Sequence, residues 1–422
     1  MLKKIILIFS LSLISFSILL AQDETKTNID YSKSGGFARI KSMGNNPFVL
    51  DPTNMMVNPA LGSIYNNIIF GDLGTTIASN FEAGGIGQFF AANFNVTENL
   101  TVGATLSRKD FNGSLSISNL DPFGLVRETN NALSSLGLVE LDNNWAIMSS
   151  YLIGNHSFGF GISYSSSNAE TKPATSGGTE GNASQFGLNF GYFGKINSRI
   201  SLEVSGVLLS PSTSFQRPQS SETKFSQSII SISGRAFYKT NSKFTIIPFG
   251  KVFKTTGSGD LGDEEGITTT DLPSNLAVQV GLGVSYKTGS FNFVGGPSFE
   301  YLQEKTPAVS GIAPELSKTS TSFPAWNVGA EWEMITWLTA RLGYNGRTST
   351  VSTETVASPT NTNESITTIY DPINGGITLG VGFKFSGFFL DATVNEDILR
   401  QGLNNLGGGG ATFAYVSAGF IF

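Results

Sequence analysis

Residues 377–385 read Ile377-Thr378-Leu379-Gly380-Val381-Gly382-Phe383-Lys384-Phe385, with an apolar residue at every odd position and a small or polar residue at every even position. Successive side chains of a β-strand point to opposite faces, so this stretch predicts a strand with one apolar face. The alternation returns in segments of about ten residues, the length of a membrane-crossing strand, from residue 67 to the end of the chain. The second face carries mostly Gly, Ser, Thr and Asn, whereas a strand of a soluble sandwich carries many charges there. The sequence therefore predicts an all-β fold, an antiparallel transmembrane β-barrel.

The alternating segments number sixteen, and because their boundaries are uncertain by about two to four residues we expect fourteen to sixteen strands. They lie at 67–77, 84–96, 100–110, 143–153, 156–167, 184–195, 199–210, 224–240, 243–254, 273–287, 290–304, 323–334, 337–347, 373–385, 388–396 and 411–422. Short connections alternate with long ones, as periplasmic turns alternate with external loops in outer-membrane barrels. We therefore expect external loops at 111–142, 168–183, 255–272, 305–322 and 348–372, with the Ser- and Thr-rich stretch 348–369 mobile.

Several kinds of chemistry are excluded by residue types that the chain lacks. It has no cysteine and a single histidine, His156, which lies at a predicted periplasmic turn. Thiolate metal sites, cysteine nucleophiles and multi-histidine sites therefore have no ligands or nucleophiles here, and a Ser-His-Asp triad has no suitably placed base. The formal net charge of -6 gives nucleic acid no reason to bind. We expect no enzyme, no cofactor, no metal and no nucleic-acid partner.

The first 66 residues differ from the rest of the chain. Residues 1–21 contain Lys3 and Lys4, a long apolar run and a small residue at the end, which indicates a signal peptide. Residues 22–66 lack a strand period but hold many apolar side chains, which an exposed tail rarely carries. Folded into the lumen of the barrel 67–422, this stretch would bury them as an N-terminal hatch or plug; alternatively it is only a turn that leads into the first strand.

The last strand carries a second signal. Alternating apolar residues end in the terminal Phe422. Strands of this kind are what the barrel-assembly machinery of bacteria recognises, so we expect that machinery and outer-membrane lipids as partners, and the bacterial outer membrane as the location.

A short motif precedes the first strand. Asp51 is followed by Asn58-Pro59-Ala60-Leu61, and this pattern resembles the hatch of the FadL-type outer-membrane transporter family. The resemblance implies transport of long-chain fatty acids and other hydrophobic compounds; relatives of that family include PorV-type barrels that serve protein secretion. The chain departs from the family in its sixteen segments, where the family has fourteen strands, and in Leu61, which separates the motif from Gly62. The predicted hatch and gating residues are Asn58, Pro59 and Ala60 of this motif, together with the apolar Phe48, Met55 and Met56 of residues 22–66.

Two further groups of residues are candidates for binding. Charged residues on the face opposite the apolar one are expected to line the lumen, either as ion pairs or as substrate contacts: Glu203, Arg235, Lys251, Glu331 and Arg341. Glu331 and Arg341 lie on sequential strands and are expected to pair. The loop 111–142 is less polar than the others, and its apolar residues include Phe123, Leu125, Leu133 and Leu136. The resemblance implies an external hydrophobic groove in this region that receives the ligand first; the alternative is a loop that packs on its neighbours.

Together these features favour a gated channel for small hydrophobic molecules. A general diffusion porin would need an open, charged lumen, and a barrel that acts through its loops would be an interaction or secretion-associated component. The sequence leaves the last reading open.

Overall fold

The computed structural model describes residues 32, 34–73, 88–107, 144–171, 178–216, 221–262, 267–308, 314–358, 361–370, 376–394 and 413–422. The expected signal peptide 1–21 and the expected loop 111–142 lie outside these residues. The described part before the strands contains one short helix, α1 (Phe37–Ser42), and two 3₁₀ turns, η1 (Pro52–Met56) and η2 (Pro59–Ser63). None of the helices in the described ranges is long and apolar enough to cross a membrane.

Eighteen strands follow in the described residues. They are β1 (Ile68–Leu73), β2 (Gln88–Asn95), β3 (Leu100–Ser107), β4 (Asn144–Ile153), β5 (His156–Thr171), β6 (Thr179–Lys195), β7 (Ile200–Gln216), β8 (Thr223–Lys239), β9 (Phe244–Gly262), β10 (Ile267–Asp271), β11 (Ser274–Thr288), β12 (Phe291–Thr306), β13 (Glu315–Ile335), β14 (Leu338–Ser358), β15 (Asn361–Tyr370), β16 (Gly376–Phe385), β17 (Phe388–Val394) and β18 (Phe413–Ile421).

Sixteen of these strands form a closed antiparallel ring. Each strand pairs with its neighbours in chain order, and β1 closes the ring by pairing with β18, with Ile68 opposite Ile421. The two shorter strands extend the rim, because among the described strands β10 pairs with β9 and β15 pairs with β14, while β9 pairs with β11 and β14 pairs with β16 lower down. The predicted transmembrane β-barrel of fourteen to sixteen strands is confirmed at its upper count.

The two faces of the ring have the compositions that the alternation predicts. Large apolar side chains point outwards and are exposed, for example Phe90 at 49%, Ile232 at 59% and Leu342 at 52%. The opposite positions on the same strands point into the lumen and carry small or polar side chains, many of them buried. A continuous exposed apolar belt is stable only where lipid covers it, so the barrel spans a membrane.

Short turns of the ring share one sequence-coded geometry. In three of them an Asn or Thr side chain accepts hydrogen bonds from the two backbone N–H groups that open the next strand: Thr97 at 3.3 and 3.0 Å, Asn197 at 2.9 and 2.9 Å, and Asn241 at 2.8 and 2.9 Å. Short side chains of this type replace backbone partners in tight turns. The alternation of apolar and polar residues ends sharply at these turns, so the predicted strand ends agree closely with the observed ones.

The strand ends at the long connections were predicted too short. Much of 168–183, 255–272, 305–322 and 348–372 is strand, and the stretch 348–369 belongs mainly to β14 and β15 rather than to a mobile loop. These ends lie beyond the lipid, so their faces need no apolar alternation, and Thr and Ser residues complete their backbone hydrogen bonds by pairing. β13 and β14 each have 21 residues, about 70 Å of strand at ~3.3 Å per residue, which is far more than a bilayer requires.

Candidate functional site

Residues 34–66, here called the N-terminal segment, lie inside the ring. α1 contacts β14, β16, β17 and β18, whereas η2 contacts β3, β4, β5 and β6. These strand groups occupy roughly opposite sides of the ring, and a segment outside the barrel would reach only one of them. Its buried apolar side chains form one cluster with lumen-facing residues of the wall. The segment therefore crosses the lumen from one wall to the other.

The Asn58-Pro59-Ala60 turn is held by the wall of β5, β6 and β7. Asn58 caps η2, because its Oδ1 accepts from Ala60 N at 3.2 Å, and its Nδ2 donates to Tyr192 O and to Glu203 Oε1, both at 3.3 Å. Ser157 Oγ donates to Ala60 O at 2.7 Å. The turn thus uses both its backbone and its side chain to bind the wall.

Two wall glycines make room for this turn. A Cβ added at Gly159 would overlap the backbone of Ala60, and a Cβ added at Gly191 would overlap the side chain of Asn58. Glycine on a strand weakens the strand but lets another backbone approach closely. The wall is therefore shaped to the segment, and the two glycines are part of the site although the sequence alone did not single them out.

Phe48, Met55 and Met56 fill the space between the walls. Phe48 packs edge-on against Phe249, with ring centroids 5.2 Å apart and planes at 86°, and its ring occupies the place that a side chain at Gly283 would take. All three are buried. The sequence-predicted hatch residues are thus brought together in the lumen.

Asp51 organises the middle of the segment. Its carboxylate accepts hydrogen bonds from Thr53 N and Thr53 Oγ1 at 3.0 Å each, from Gly36 N at 3.2 Å, and from Arg39 Nη1 at 3.2 Å. Complete burial raises the pKa of Asp51 above its ordinary value, and the guanidinium of Arg39 together with the Thr53 donors lowers the pKa in part. The ionised form of Asp51 therefore depends on Arg39.

A buried ion-pair network joins the segment to β13, β14 and β17. Arg39 Nε and Nη2 donate to the two carboxylate oxygens of Glu331, both at 2.7 Å, and Arg341 Nε donates to Glu331 Oε1 at 2.8 Å. Arg341 Nη1 continues to Asp391 Oδ1 at 2.5 Å. The predicted pairing of Glu331 with Arg341 is confirmed. Arg39 and Asp391 were missed, because nothing in the alternation says which segment residue meets which strand.

A second anchor lies on β7 and β8. Glu203 and Arg235 are opposite each other and form an ion pair at 2.7 Å. Arg235 also donates to the carbonyls of Pro47 and Val49 at 3.0 and 2.8 Å, and to Asn54 Oδ1 at 3.1 Å. These lumen charges hold the N-terminal segment, which favours the ion-pair reading over direct substrate contact.

The remaining candidates are Lys251 and the apolar residues of the loop 111–142. Lys251 is half-buried on β9, in register with Ser233 and Gln279. The apolar loop residues Phe123, Leu125, Leu133 and Leu136 lie outside the described residues. Within the described ranges no group of three or more His, Cys, Asp or Glu side chains is placed to hold a metal ion.

Comparisons with known proteins give low similarity to solved structures. No family model matches the sequence, and no curated protein matches it either. Among solved structures, the toluene transporter TodX of P. putida is 11% identical, with 91% of this chain and 97% of that chain covered and a TM-score of 0.37. The ferric citrate transporter FecA is 10% identical (77% and 64% covered, TM-score 0.36), so this chain spans less than two thirds of its length. The outer-membrane transporter YddB of Escherichia coli is 9% identical (78% and 68% covered, TM-score 0.36).

Proposed function

We propose that this protein is a bacterial outer-membrane channel for small hydrophobic molecules and that the N-terminal segment is its gate. The observation that carries the proposal is the path of the segment across the lumen, packed against both walls and held only by non-covalent contacts. Hydrogen bonds and ion pairs break and re-form locally, so a ligand that binds the displaced segment better than the seated one shifts the population towards the open barrel.

The lining beside the segment favours apolar cargo. Val207, Leu209, Ile229 and Phe253 point into the lumen from β7, β8 and β9 and form an apolar cluster that Val57 of the segment packs against. Ligand sites for apolar molecules combine such surfaces with a few polar groups. A general porin instead needs an open, charged constriction, and here the principal lumen charges are engaged in holding the segment.

Planar-bilayer conductance of the refolded protein tests the gate. We expect the full mature chain to be closed most of the time and a chain lacking residues 22–62 to show large, steady conductance. The matched control is Gly206→Ala, at a wall glycine with open space around it, which should leave the full chain closed. Large steady conductance of the full chain would overturn the gate and favour a diffusion porin.

A second candidate function is an interaction barrel that acts through its rim. The observation in its favour is the strand extension of β13, β14 and β15 beyond the length that a bilayer needs. Replacing residues 349–368 by a short turn separates the two functions. If cells lose uptake of hydrophobic compounds when the N-terminal segment is altered and keep it when the rim is shortened, the channel is supported. If shortening the rim is the change that removes the protein's function, the interaction barrel is supported.

A further inference from the structure

The lumen face of β3 and β5 carries four hydroxyl groups that have no hydrogen-bond partner: Thr105 Oγ1, Ser107 Oγ, Ser163 Oγ and Ser165 Oγ. We call these four residues the hydroxyl patch. Thr105 and Ser165 are 1% exposed and the two others are also buried. A buried polar group without a partner costs about 1–3 kcal/mol. Four such groups, two on each side of β4, indicate a polar occupant that the protein itself does not supply.

A small cavity lies between this patch and the N-terminal segment. Thr105, Ser163 and Asn189, whose Oδ1 also lacks a partner, line one part, and Met55, Met56 and Met148 line the other. Its volume of about 10 Å³ admits roughly one water molecule. Methionine side chains are flexible and fill irregular space, so a movement of the segment that carries Met55 and Met56 enlarges the cavity directly.

The described lumen-facing positions of β3 to β6 next to the patch are uncharged. The lumen-facing positions of β3 to β6 that flank it, in the rows set by strand pairing, carry only small, amide, hydroxyl or apolar side chains: Thr101, Gly103, Ala146, Met148, Ser150, Gly159, Gly161, Gln185, Gly187, Asn189 and Gly191. An anionic head group that enters here loses its contact with water and finds no cationic partner among these residues, which is costly. A neutral head group that forms hydrogen bonds meets no such cost.

We propose that the hydroxyl patch receives the neutral, hydrogen-bonding head group of an amphiphile, such as an alcohol or a glyceride, while its alkyl chain lies against Met55, Met56 and Met148. The inference rests on the proposed function, since the segment must move before the head group enters. It deepens that function by separating neutral amphiphiles from pure hydrocarbons, which offer no hydrogen bonds, and from carboxylates, which bring a charge.

A photoaffinity experiment on the full mature barrel in nanodiscs tests the proposal. The probe is 1-dodecanol with a diazirine on its chain, and the competitors are 1-dodecanol, dodecane and dodecanoate at pH 9, where the carboxylate is ionised. The test variant is Thr105→Val with Ser163→Ala. The matched control is Ser322→Ala, which removes a lumen-facing hydroxyl of β13 that is bonded to Ser349 at 2.7 Å.

The proposal expects labelling near Met55 and Met56, competition by 1-dodecanol at least tenfold better than by the two other compounds, and about tenfold weaker labelling of the test variant from two lost hydrogen bonds. Equal competition by dodecane, better competition by dodecanoate, or unchanged labelling of the test variant would each overturn the inference and leave the channel standing. Absence of specific labelling by this probe and of any competition would count against the channel itself. Heat-modifiable mobility on gels confirms that each variant is folded.

Discussion

Replacing Arg39 by methionine should unseat the N-terminal segment. The side chain donates to both oxygens of Glu331, to Asp51 and to Leu50 O, and it is 3% exposed. Breaking a buried ion pair costs about 3–5 kcal/mol. We take ~3 kcal/mol, the lower end of that range, because Glu331 keeps Arg341 as a partner. The loss falls only on the seated state, since water solvates Arg39 and Asp51 when the segment has left the wall.

A shift of ~3 kcal/mol changes a two-state ratio roughly 150-fold, so the open probability in single-channel recordings should rise by about two orders of magnitude. Arg347→Met is the matched control, because Arg347 pairs with Glu300 at 3.1 Å between wall strands. Arg39→Lys should be intermediate, since lysine keeps the charge but cannot hold both carboxylate oxygens. An unchanged open probability in Arg39→Met, or an equal rise in Arg347→Met, would refute the reasoning.

The same variant should acquire a pH dependence. Without Arg39 only uncharged donors such as those of Thr53 offset the desolvation of Asp51, so its pKa in the seated state rises further above the value in the displaced state. The protonated carboxyl then favours seating at low pH, and that contribution is lost as the pH rises through the seated-state pKa. Open probability of Arg39→Met should therefore increase with rising pH, and it should do so more than in the parent protein, where Arg39 lowers the seated-state pKa of Asp51.

Three further changes test the wall and the turns. Gly159→Ala should loosen the segment, so that a cysteine at Met56→Cys, the sole thiol of the chain, reacts with maleimide faster than in Gly206→Ala; equal rates would contradict the close fit. Asn58→Ala removes a helix cap worth about 1 kcal/mol and two bonds to the wall, and should raise open probability about tenfold. Asn197→Ala should lower the free energy of unfolding in urea by ~1 kcal/mol without changing conductance, and a change in gating would show that the turn does more than shape the strand end.

The sequence predicts the parts of the strands that lie within the bilayer better than the parts that extend beyond it. Between the interfaces every strand must show one apolar face, and each strand of the ring overlaps a predicted segment, with close agreement at the ends that meet the short turns. Beyond the interface a strand needs no apolar face. The alternation therefore does not predict that β14 continues to Ser358 or that β15 exists. The position of Phe422 at the end of the last strand follows from the same apolar pattern.

The site was only partly predictable for a related reason. Alternation places Glu203, Arg235, Glu331 and Arg341 on the lumen face, since a charge facing lipid costs roughly 2–4 kcal/mol. It does not say that Arg39 reaches Glu331, because the segment has no period that fixes its direction. Lumen glycines are numerous, and only the close approach of Ala60 distinguishes Gly159 from the rest.

The seam between β1 and β18 bears on how the N-terminal segment comes to lie inside the ring. Among the described residues five pairs join these strands, against sixteen between β5 and β6, and Ser417 in the seam accepts from Ala38 N and donates to Asp72. The N-terminal segment is continuous with β1, so the strand that closes the ring also brings the segment to its place. We therefore expect the segment to be enclosed when β1 and β18 pair, and a segment supplied later as a free peptide to be excluded from the closed ring.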